Sequence, residues 1–590
     1  MATRKLGGLR FAAAFSVGVA FASALSIVPR PLNQTSDGQL ISLDIHKFDF
    51  AATGKDSALL QAAFKRYSAL LAHGRRGLTS ASLADQRSLD WLRSSSLLSA
   101  EEHASLTARV KTNAGKLPAA ATAAIVGADV AVAGDDKVKT LVTDESYTLL
   151  VAAPRIRIEA ATVYGAIYAL ESLSQLMDTE EGSINSTNIY DKPRFAYRAT
   201  MIDTARHWYP LPAIKQHLDA MSTVKMNVLH WHVVDSQSFP FVSEHLPVLS
   251  ATGSWQADHV YTARDIAGIV KYANERGIRV IPEFDTPGHV AAGWQSLGVL
   301  TDCHDDATGK FTHKGPLNPT LNRTFEVLTQ LWADVFAAFA PEKVVHIGGD
   351  EVWHTPTHSC WQSNSQVQAW LKAHPEVPGF TGLEVLFERK LLAILHSAGA
   401  SVIIWQEIFD NGAKPAPDTV INVWKSAANH NPGTTYQAEM AAVTKAGYHA
   451  VLSAPYYLNF ITYGMDWWAY YQIDPANFTG GDAAEASKLI AGIEACYWSE
   501  YIDATNLIAR AWPRTAAIAE RAWSAKHVRD GIDAQARLHE LRCKLLVRGI
   551  DAEPIGICSN PGCTANSSIN HFPGAAGYCP HEWVPAYTGF

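Results

Sequence analysis

The sequence has no run of lysines or arginines anywhere along its 590 residues, and its formal net charge is −8. Proteins that bind the phosphate backbone of nucleic acids normally carry a basic face. This absence therefore argues against nucleic acid as a partner. The length and a hydrophobic content of 47% instead indicate a globular protein of two domains.

Beyond its first 25 residues the chain has no apolar run long enough to cross a bilayer, so we expect no membrane span in the mature protein. The N-terminus has a basic start, an apolar stretch from Phe11 to Leu25 and small residues at 22–24. This pattern predicts a cleaved signal peptide over residues 1–24, whereas an uncleaved membrane anchor would need about 20 apolar residues. We expect the chain to enter the secretory pathway and to reside outside the cell or in a lysosome.

Cysteine is scarce, with seven residues, and no Cys-x-x-Cys pair is accompanied by matching histidines. Disulfide bonds are therefore favoured over a zinc cluster. Several cysteines crowd the C-terminal end, where the Gly- and Pro-rich tail at 551–590 can bury little surface. Five sequons also agree with export, although each is a short pattern: Asn33, Asn185, Asn322, Asn477 and Asn566.

Residues 25–190 have the pattern of a smaller α+β domain. Tyr147–Val151 and Ile156–Ile158 read as neighbouring strands, and Ala161–Met177 carries apolar residues at helical spacing. The segment contains no obvious chemistry, so we expect it to serve in packing.

Residues 191–550 alternate short apolar strands with amphipathic helices. The predicted strands are Ala199–Ile202, Asn227–Val233, Ile278–Pro282, Val344–Ile347, Ser401–Trp405, Val420–Trp424, Ala450–Ser453 and Ile490–Ala495. Helical patterns between them include Leu211–Thr223, Ala263–Arg276, Phe325–Phe339, Leu383–Ala398 and Thr435–Ala446. Eight such units predict a (β/α)8 (TIM) barrel rather than an open sheet.

Polar and aromatic residues collect just after the predicted strands, at the end where barrel enzymes place their active sites. In chain order they are Asp203, Arg206, Asp235, Glu283, Asp285, His289, Asp350, Glu351, Trp405, Glu407, Trp424, Tyr456, Tyr457, Trp498 and Glu500. This distribution predicts an enzyme.

One of these sites joins an apolar strand, two glycines and the consecutive acids Asp350 and Glu351. An ordinary Asp-Glu pair is a solvated turn, but the glycines here permit tight backbone geometry beside the carboxylates. Acids set close together can titrate apart, so that one holds its proton while the other is ionised. Glycoside cleavage needs that division of labour.

Tryptophan is abundant, with 17 residues. Most of them read as core, but Trp405, Trp424 and Trp498 follow strands. Flat aromatic rings pack against pyranose rings, while Arg206 and Glu500 can hydrogen-bond hydroxyls. These residues indicate a sugar pocket.

Seven segments resemble family 20 glycoside hydrolases, the β-N-acetylhexosaminidases, and most of all the eukaryotic lysosomal and secreted enzymes. They are RATMIDTARH at 198–207, NVLHWHVVD at 227–235, PEFDTPGH at 282–289, HIGGDEV at 346–352, WQE at 405–407, SAPYY at 453–457 and EACYWSEY at 494–501. The similarity extends from about residue 140 to 560, and the motifs together are highly specific.

The resemblance implies hydrolysis of terminal non-reducing β-linked GlcNAc or GalNAc, by a retaining mechanism in which the substrate's 2-acetamido group assists. It implies no cofactor and no metal. It assigns Glu351 the role of general acid and base, which Asp235 and His289 would orient. Asp350 would polarise the acetamido N–H, and Tyr457 would bind the acetamido oxygen. The pocket would be walled by Trp405, Trp424 and Trp498, and the non-reducing hydroxyls would be held by Arg206 and Glu500.

The resemblance also implies the disulfides Cys303–Cys360 and Cys543–Cys558, a free buried Cys496 and a possible homodimer. Cys563 and Cys579 would then pair in the tail. One departure concerns specificity: after Tyr457 the chain reads Leu-Asn459-Phe460, whereas an arginine at the last position helps some relatives accept 6-sulfated sugars. We therefore expect neutral sugars to be favoured, with Asn459 in the binding site.

Three other interpretations are weaker. A non-catalytic sugar-binding protein would normally have lost an acid. A barrel chitinase would carry an Asp-x-x-Asp-x-Glu run, which is missing here. A metal hydrolase could use His230 and His232, which strand alternation directs to one side, but no third ligand is evident, and structural histidines are favoured.

Overall fold

The computed structural model describes residues 27–74, 124–134, 139–177, 182–305, 307–352, 360–426, 433–461, 465–480 and 488–556. The predicted signal peptide, the sequon at Asn566, and Cys558, Cys563 and Cys579 lie outside these residues. Within the described ranges, no helix combines the length and the apolar character that a membrane crossing requires.

The first part of the chain forms a mixed sheet. Its described strands are β1 (Asn33–Thr35), β2 (Leu40–Ser42), β3 (Asp49–Ala52), β4 (Gly127–Val132), β5 (Tyr147–Val151), β6 (Ile156–Ala160), β7 (Ser183–Asn185) and β8 (Thr187–Asp191). Six of them form one sheet in the order β1-β8-β5-β6-β4-β3, while β2 pairs with β7.

Two helices, α1 (Ala58–Gly74) and α2 (Val163–Leu176), share a hydrophobic core with this sheet. The side chain of Thr162 caps α2 by accepting the Gly165 N–H, which satisfies one of the unpaired donors at the start of the helix. The predicted strands around Pro154 and the helix that follows are confirmed.

Eight parallel strands then close into a barrel in the order β10-β11-β14-β15-β16-β17-β18-β9. They are β9 (Tyr197–Asp203), β10 (Val228–Val234), β11 (Arg279–Phe284), β14 (Val344–His346), β15 (Ser401–Trp405), β16 (Val420–Val423), β17 (His449–Leu452) and β18 (Ile490–Tyr497). A separate hairpin consists of β12 (Leu300–His304) and β13 (Phe311–Leu317). The predicted barrel preceded by a smaller α+β domain is confirmed.

Helices surround the barrel and connect its strands. Those described are α3 (Leu211–Thr223), α4 (Val248–Gly253), α5 (Ala263–Asn274), α6 (Asn322–Ala338), α7 (Cys360–Ser363), α8 (Ser365–Ala373), α9 (Gly379–Ser397), α10 (Glu407–Asp410), α11 (Tyr436–Lys445), α12 (Asp466–Gln472), α13 (Leu507–Ala511), α14 (Arg514–Trp523) and α15 (Gly531–Val547), with a 3-10 turn at Gln295–Leu297. Most of their buried faces pack on the barrel strands in one hydrophobic core, whereas α7, α8 and the first part of α9 form a separate cluster around Trp361, Val367 and Leu383.

A buried ionic cluster joins the first domain to the barrel. Glu145 precedes β5, and its carboxylate accepts hydrogen bonds from both terminal nitrogens of Arg198 on β9, at 2.7 and 3.0 Å. Lys139 also pairs with Glu145. Burial alone would raise the pKa of Glu145, but the charges of Arg198 and Lys139 outweigh it and lower the pKa to about 2.

We expect Glu145→Gln to lower the free energy of unfolding at pH 7 by about 3 kcal/mol, because it leaves buried cations without a counter-charge. A carboxylate with a lowered pKa stabilises the fold above its unfolded value of 4.5, and this contribution is lost as the pH falls towards 2. The deficit should therefore shrink over that acidic window, which urea denaturation at several pH values would measure.

The matched control is Asp49→Asn, which breaks an exposed ion pair with Arg155. Such pairs contribute little, so the stability should barely change. A deficit for Glu145→Gln that is as large at pH 2 as at pH 7 would contradict the charge-based explanation.

Candidate active site

The side chains predicted for the site follow the carboxyl ends of the barrel strands. Arg206 follows β9, Asp235 β10, His289 β11, Asp350 and Glu351 β14, Trp424 β16, Tyr457 and Asn459 β17, and Trp498 and Glu500 β18, while Trp405 ends β15. Because the strands are parallel, these ends meet at one mouth of the barrel.

The loop after β14 is tightly bent. Gly348 and Gly349 have φ values of 69° and 92°, and a side chain at either position would collide with Asp285 or Ile408. Glu351 itself has a φ of 54°, in the left-handed region that L-residues rarely adopt. The two glycines therefore allow Asp350 and Glu351 to reach the mouth from a strand that ends at His346.

Asp350 is buried beside a second acid, Asp285. The Gly349 N–H donates to Oδ1 of Asp285 over 2.8 Å, while Oδ2 of Asp285 and Oδ1 of Asp350 are buried without a hydrogen-bond partner among the described residues. Burial raises the pKa of Asp350 well above its ordinary value and that of Asp285 to about 6, so the pair holds a proton in acidic solution.

Glu351 is the more open acid, with 40% of its side chain exposed. Its Oε2 lies 3.5 Å from Nε2 of His289. The contact with His289 lowers the pKa of Glu351 against the opposing effect of burial. The pKa shifts of Asp350 and Glu351 therefore run in opposite directions.

His289 connects Glu351 to the buried Asp235. Its Nδ1 lies 3.2 Å from Oδ1 of Asp235, whose Oδ2 is 2.8 Å from both Arg206 Nη2 and His232 Nε2. Burial alone would lower the pKa of His289, but the charges of Asp235 and the neighbouring acids raise it well above its ordinary value. His289 is therefore a cation beside Glu351.

The interior of the barrel continues this chain of contacts. His232 Nδ1 lies 2.5 Å from Oε2 of Glu283, and His230 Nε2 lies 3.0 Å from the same oxygen. Both histidines thus face the interior, as strand alternation predicts. His230 also contacts Glu494 over 3.1 Å. Buried histidines and glutamates therefore support the site from below.

The three tryptophans differ in their exposure. Trp405 has no exposed surface, and its indole N–H donates to Glu283 over 2.8 Å. It therefore underlies the pocket, which corrects the prediction of a wall at the pocket surface. Trp424 and Trp498 are partly exposed and pack around Tyr457.

Tyr457 presents its hydroxyl to the pocket. Burial raises the pKa of Tyr457 well above its ordinary value, so the hydroxyl keeps its proton. Its ring packs against Trp424, Phe460 and Trp498, and the protonated hydroxyl can donate a hydrogen bond.

Arg206 is fixed by two carboxylates, with Asp203 at 3.2 Å and Asp235 at 2.8 Å, and its guanidinium lies 4.9 Å from the Trp498 ring centroid. Glu500 is exposed nearby and adds to the negative potential around Arg206. A cation and an anion at the rim can donate to and accept from neighbouring hydroxyls.

Asn459 and Phe460 complete this side of the mouth. The Oδ1 of Asn459 is buried and has no hydrogen-bond partner among the described residues. The ring of Phe460 stacks on Tyr457 with centroids 5.9 Å apart.

Among the described residues, three groups of side chains have ligand atoms close enough together to hold a metal ion, and one of them, Cys303, His313 and Cys360, contains the disulfide. The other two are Asp285, His289 and Asp350 at the mouth, and His230, Glu283 and His346 inside the barrel; the last group does not include His232. Both groups are also connected by their own hydrogen bonds and ion pairs, which accounts for their proximity without a metal.

For the cysteines that the structure describes, the pairing agrees with the one that the family resemblance implies. Cys303 and Cys360 form a disulfide, and Cys496 is a free, buried thiol. Cys543 is also disulfide-bonded, and its predicted partner, Cys558, lies outside the described residues. Cys303 is on β12 and Cys360 begins α7, so the bond connects segments on either side of the Asp350–Glu351 loop.

Sequence reasoning assigned no role to Asp203, Glu283, Asp285 or Glu407. Each of them follows or ends a barrel strand, and that position is the signal that could have found them. In the structure Asp203 pairs with Arg206, Asp285 lies beside Asp350, and Glu283 accepts the indole N–H of Trp405. The Oε1 of Glu407 accepts the backbone N–H of Glu351 over 3.2 Å.

Comparisons with known proteins agree with this geometry. A family described as "Glycosyl hydrolase family 20, catalytic domain" matches residues 195–526, and one described as "beta-acetyl hexosaminidase like" matches residues 27–176. Human beta-hexosaminidase subunit beta is 42% identical over 451 residues, which cover 76% of this chain and 75% of the human one.

Bovine beta-hexosaminidase subunit alpha is 42% identical over 72% of this chain and 79% of its own. Among solved structures, a Flavobacterium johnsoniae chitobiase superposes with a TM-score of 0.68 and 27% identity, covering 89% of this chain and 75% of that one. On this evidence the chain belongs to glycoside hydrolase family 20.

Proposed function

We propose that this chain is an exo-β-N-acetylhexosaminidase that removes terminal non-reducing β-linked GlcNAc or GalNAc by retaining, substrate-assisted catalysis. The observation that carries the proposal is the position of Asp350 and Glu351 directly after a barrel strand, both within 3.7 Å of Nε2 of His289. Related beta-hexosaminidases support the same activity.

In the first step the carbonyl oxygen of the substrate's 2-acetamido group attacks the anomeric carbon, and the bond to the leaving oxygen breaks. Glu351 gives its proton to that oxygen. Tyr457 donates to the acetamido oxygen and orients it. Asp350 accepts from the acetamido N–H through Oδ1, which is buried and has no partner among the described residues. An oxazoline-type intermediate results.

In the second step Glu351 takes a proton from water as the water oxygen attacks the anomeric carbon. The bond to the acetamido oxygen breaks, and the acetamido group is restored. Two displacements at the same carbon return the original β-configuration. His289, with Asp235 behind it, fixes the Glu351 carboxyl through both steps.

Arg206 and Glu500 would hold the hydroxyls at the non-reducing end, which makes the action exo. Trp424 and Trp498 would flank the sugar ring, above the buried Trp405. Asn459 offers an unpaired oxygen to a hydroxyl, while the Phe460 ring stacks on Tyr457 and brings no cation there. This supports a preference for neutral over 6-sulfated sugars.

A non-catalytic sugar-binding protein on the same barrel is not favoured, because the acid pair, the tyrosine and the His289–Asp235 contact are all present. We further propose that the chain enters the secretory pathway and acts as a homodimer outside the cell or in a lysosome. The N-terminal apolar segment, the sequons and the Cys303–Cys360 disulfide support export.

Hydrolysis of a fluorogenic β-GlcNAc glycoside between pH 3 and 8 tests the proposal. We expect turnover of β-GlcNAc and β-GalNAc, and none of the α-linked analogue or of the β-glucoside, which lacks the acetamido nucleophile. The value of kcat/KM should fall as the pH rises through the acidic range, because the pKa of Glu351 is lowered and the protonated acid becomes scarce.

The anomeric configuration of the product, followed by NMR, is expected to be β at first. Folded protein that binds GlcNAc but releases no fluorophore at any pH would support the sugar-binding alternative instead. Turnover of the β-glucoside at a rate comparable to that of β-GlcNAc would rule out substrate assistance.

A further inference from the structure

Glu407, at the start of α10, makes two hydrogen bonds that connect different parts of the mouth. Its Oε1 accepts the backbone N–H of Glu351 over 3.2 Å, and its Oε2 accepts the indole N–H of Trp424 over 3.1 Å. Its side chain is only 15% exposed. One carboxyl group therefore holds both the main chain of the acid and a pocket side chain.

We propose that Glu407 is a positioning residue, which fixes the backbone of Glu351 so that its carboxyl reaches the leaving-group oxygen. The inference rests on the proposed function, since it assigns Glu407 a part in the same reaction. Glu407 acts through Glu351 and Trp424 and makes no bond to the reacting atoms.

The backbone of Glu351 needs such a constraint. Its φ of 54° lies in the left-handed region, which costs a non-glycine residue about 1–2 kcal/mol. The preceding Gly348 and Gly349 are the most permissive residues for backbone rotation and do little to hold it. The hydrogen bond from the Glu351 N–H to Glu407 opposes relaxation to the right-handed conformation, which would swing the carboxyl away.

Glu407 is neutral in acidic solution, which suits its position beside Glu351. Burial, with Asp350 nearby, raises the pKa of Glu407 to about 8, although Lys425 lies 3.6 Å from its Oε1. The group is therefore neutral in acidic solution and adds no negative charge beside Glu351. Both of its oxygens can still accept an N–H, whereas a glutamine amide would offer one acceptor oxygen and face the other donor with an NH2 group.

Asp410 provides a matched control on the same short helix. Its Oδ2 pairs with Lys425 Nζ over 3.0 Å, and its backbone N–H donates to Gln406. It shares the ionic surroundings of Glu407, and its hydrogen bonds in the described part of the chain are made with Gln406 and Lys425. Asp410→Asn thus reports the effect of disturbing α10 and Lys425 alone.

The dependence of kcat on the leaving group distinguishes a positioning role from a merely structural one, because a structural defect would lower kcat equally for all leaving groups. Cleavage of chitobiose expels GlcNAc as a poor alkoxide leaving group that needs a proton, whereas dinitrophenolate departs without one. We expect Glu407→Ala to lower kcat about 100-fold on chitobiose, the size of effect that follows from a misplaced catalytic group. On 2,4-dinitrophenyl β-GlcNAc the loss should stay below about 10-fold, with Glu407→Gln intermediate on chitobiose.

Because both substrates are assayed on the same sample, the ratio of the two losses does not depend on the folded fraction. Asp410→Asn should keep wild-type rates on both. Equal losses on the two substrates for Glu407→Ala, or no loss, would overturn the positioning role. Failure of the wild type to hydrolyse either substrate would instead be a failure of the proposed function.

Discussion

Glu351→Gln should lower kcat on chitobiose by at least about 100-fold, the lower end of the range for loss of a general acid–base. The amide has the shape of the carboxyl and can keep a contact with His289 Nε2, now 3.5 Å from Oε2, but it cannot deliver a proton. The loss should therefore fall on kcat, with KM much less affected. Steady-state kinetics at the pH optimum of the wild type would measure it.

The control for this change is Glu326→Gln on the exposed face of α6, where the carboxylate pairs only loosely with Arg323. Its activity should equal that of the wild type. Turnover of chitobiose by Glu351→Gln within about 10-fold of the wild type would transfer the proton-donating role to another acid at the mouth, such as Asp350, Asp285 or Glu407, whose pKa values are raised.

Asp350→Asn should also lower kcat strongly, by about 10²–10³-fold. This loss is comparable to that caused by removing one preorganised polar group from an active site. The acetamido nitrogen becomes positively charged as the oxazoline ring forms. That positive charge favours the ionised form of Asp350, which then stabilises it directly, whereas asparagine provides only a dipole. Hydrolysis of 4-nitrophenyl β-GlcNAc, with GlcNAc binding followed by calorimetry, would separate catalysis from affinity.

The same substitution removes one member of the proton-sharing pair with Asp285. Burial then remains as the main cause that raises the pKa of Asp285. Retention of near-wild-type kcat in Asp350→Asn, together with unchanged GlcNAc affinity, would show that Tyr457 alone suffices to orient the acetamido group.

The barrel could be predicted closely from the sequence. Each of its strands is buried on both faces, so it appears as a short continuous apolar run, and the predicted strand Ser401–Trp405 coincides with the observed one. The final strand extends to Tyr497, two residues beyond the prediction, because Cys496 and Tyr497 pair with β9.

The first domain was less predictable. Strands such as β1 and β3 are three or four residues long and largely exposed, so they show no apolar period. The hairpin of β12 and β13 was not predicted either, since the exposed half of β13 alternates only polar and aromatic residues. Their pairing depends on partners distant in the chain, which no local pattern encodes.

The candidate site also has parts that the sequence predicts and parts that it does not. Asp350 and Glu351 are predictable because the two acids are adjacent in the chain and follow an apolar strand and two glycines. The contacts of Glu283 with His232 and His230 could not be predicted, because they depend on the register between β10 and β11. The bond from the Glu351 N–H to Glu407 could not be predicted because it depends on a left-handed backbone that sequence does not report.

Left-handed backbone occurs on both sides of the contact between Glu351 and His289, with φ values of 54° and 52°. Glycine in place of Glu351 would relieve about 1 kcal/mol or more of conformational energy. Loss of His289 would instead deprive the buried Asp235 of one of its cations, which destabilises the fold. Thermostability and turnover are therefore opposed at Glu351, where a laboratory selection for heat resistance alone would favour glycine and yield a more stable protein that no longer cleaves its substrate.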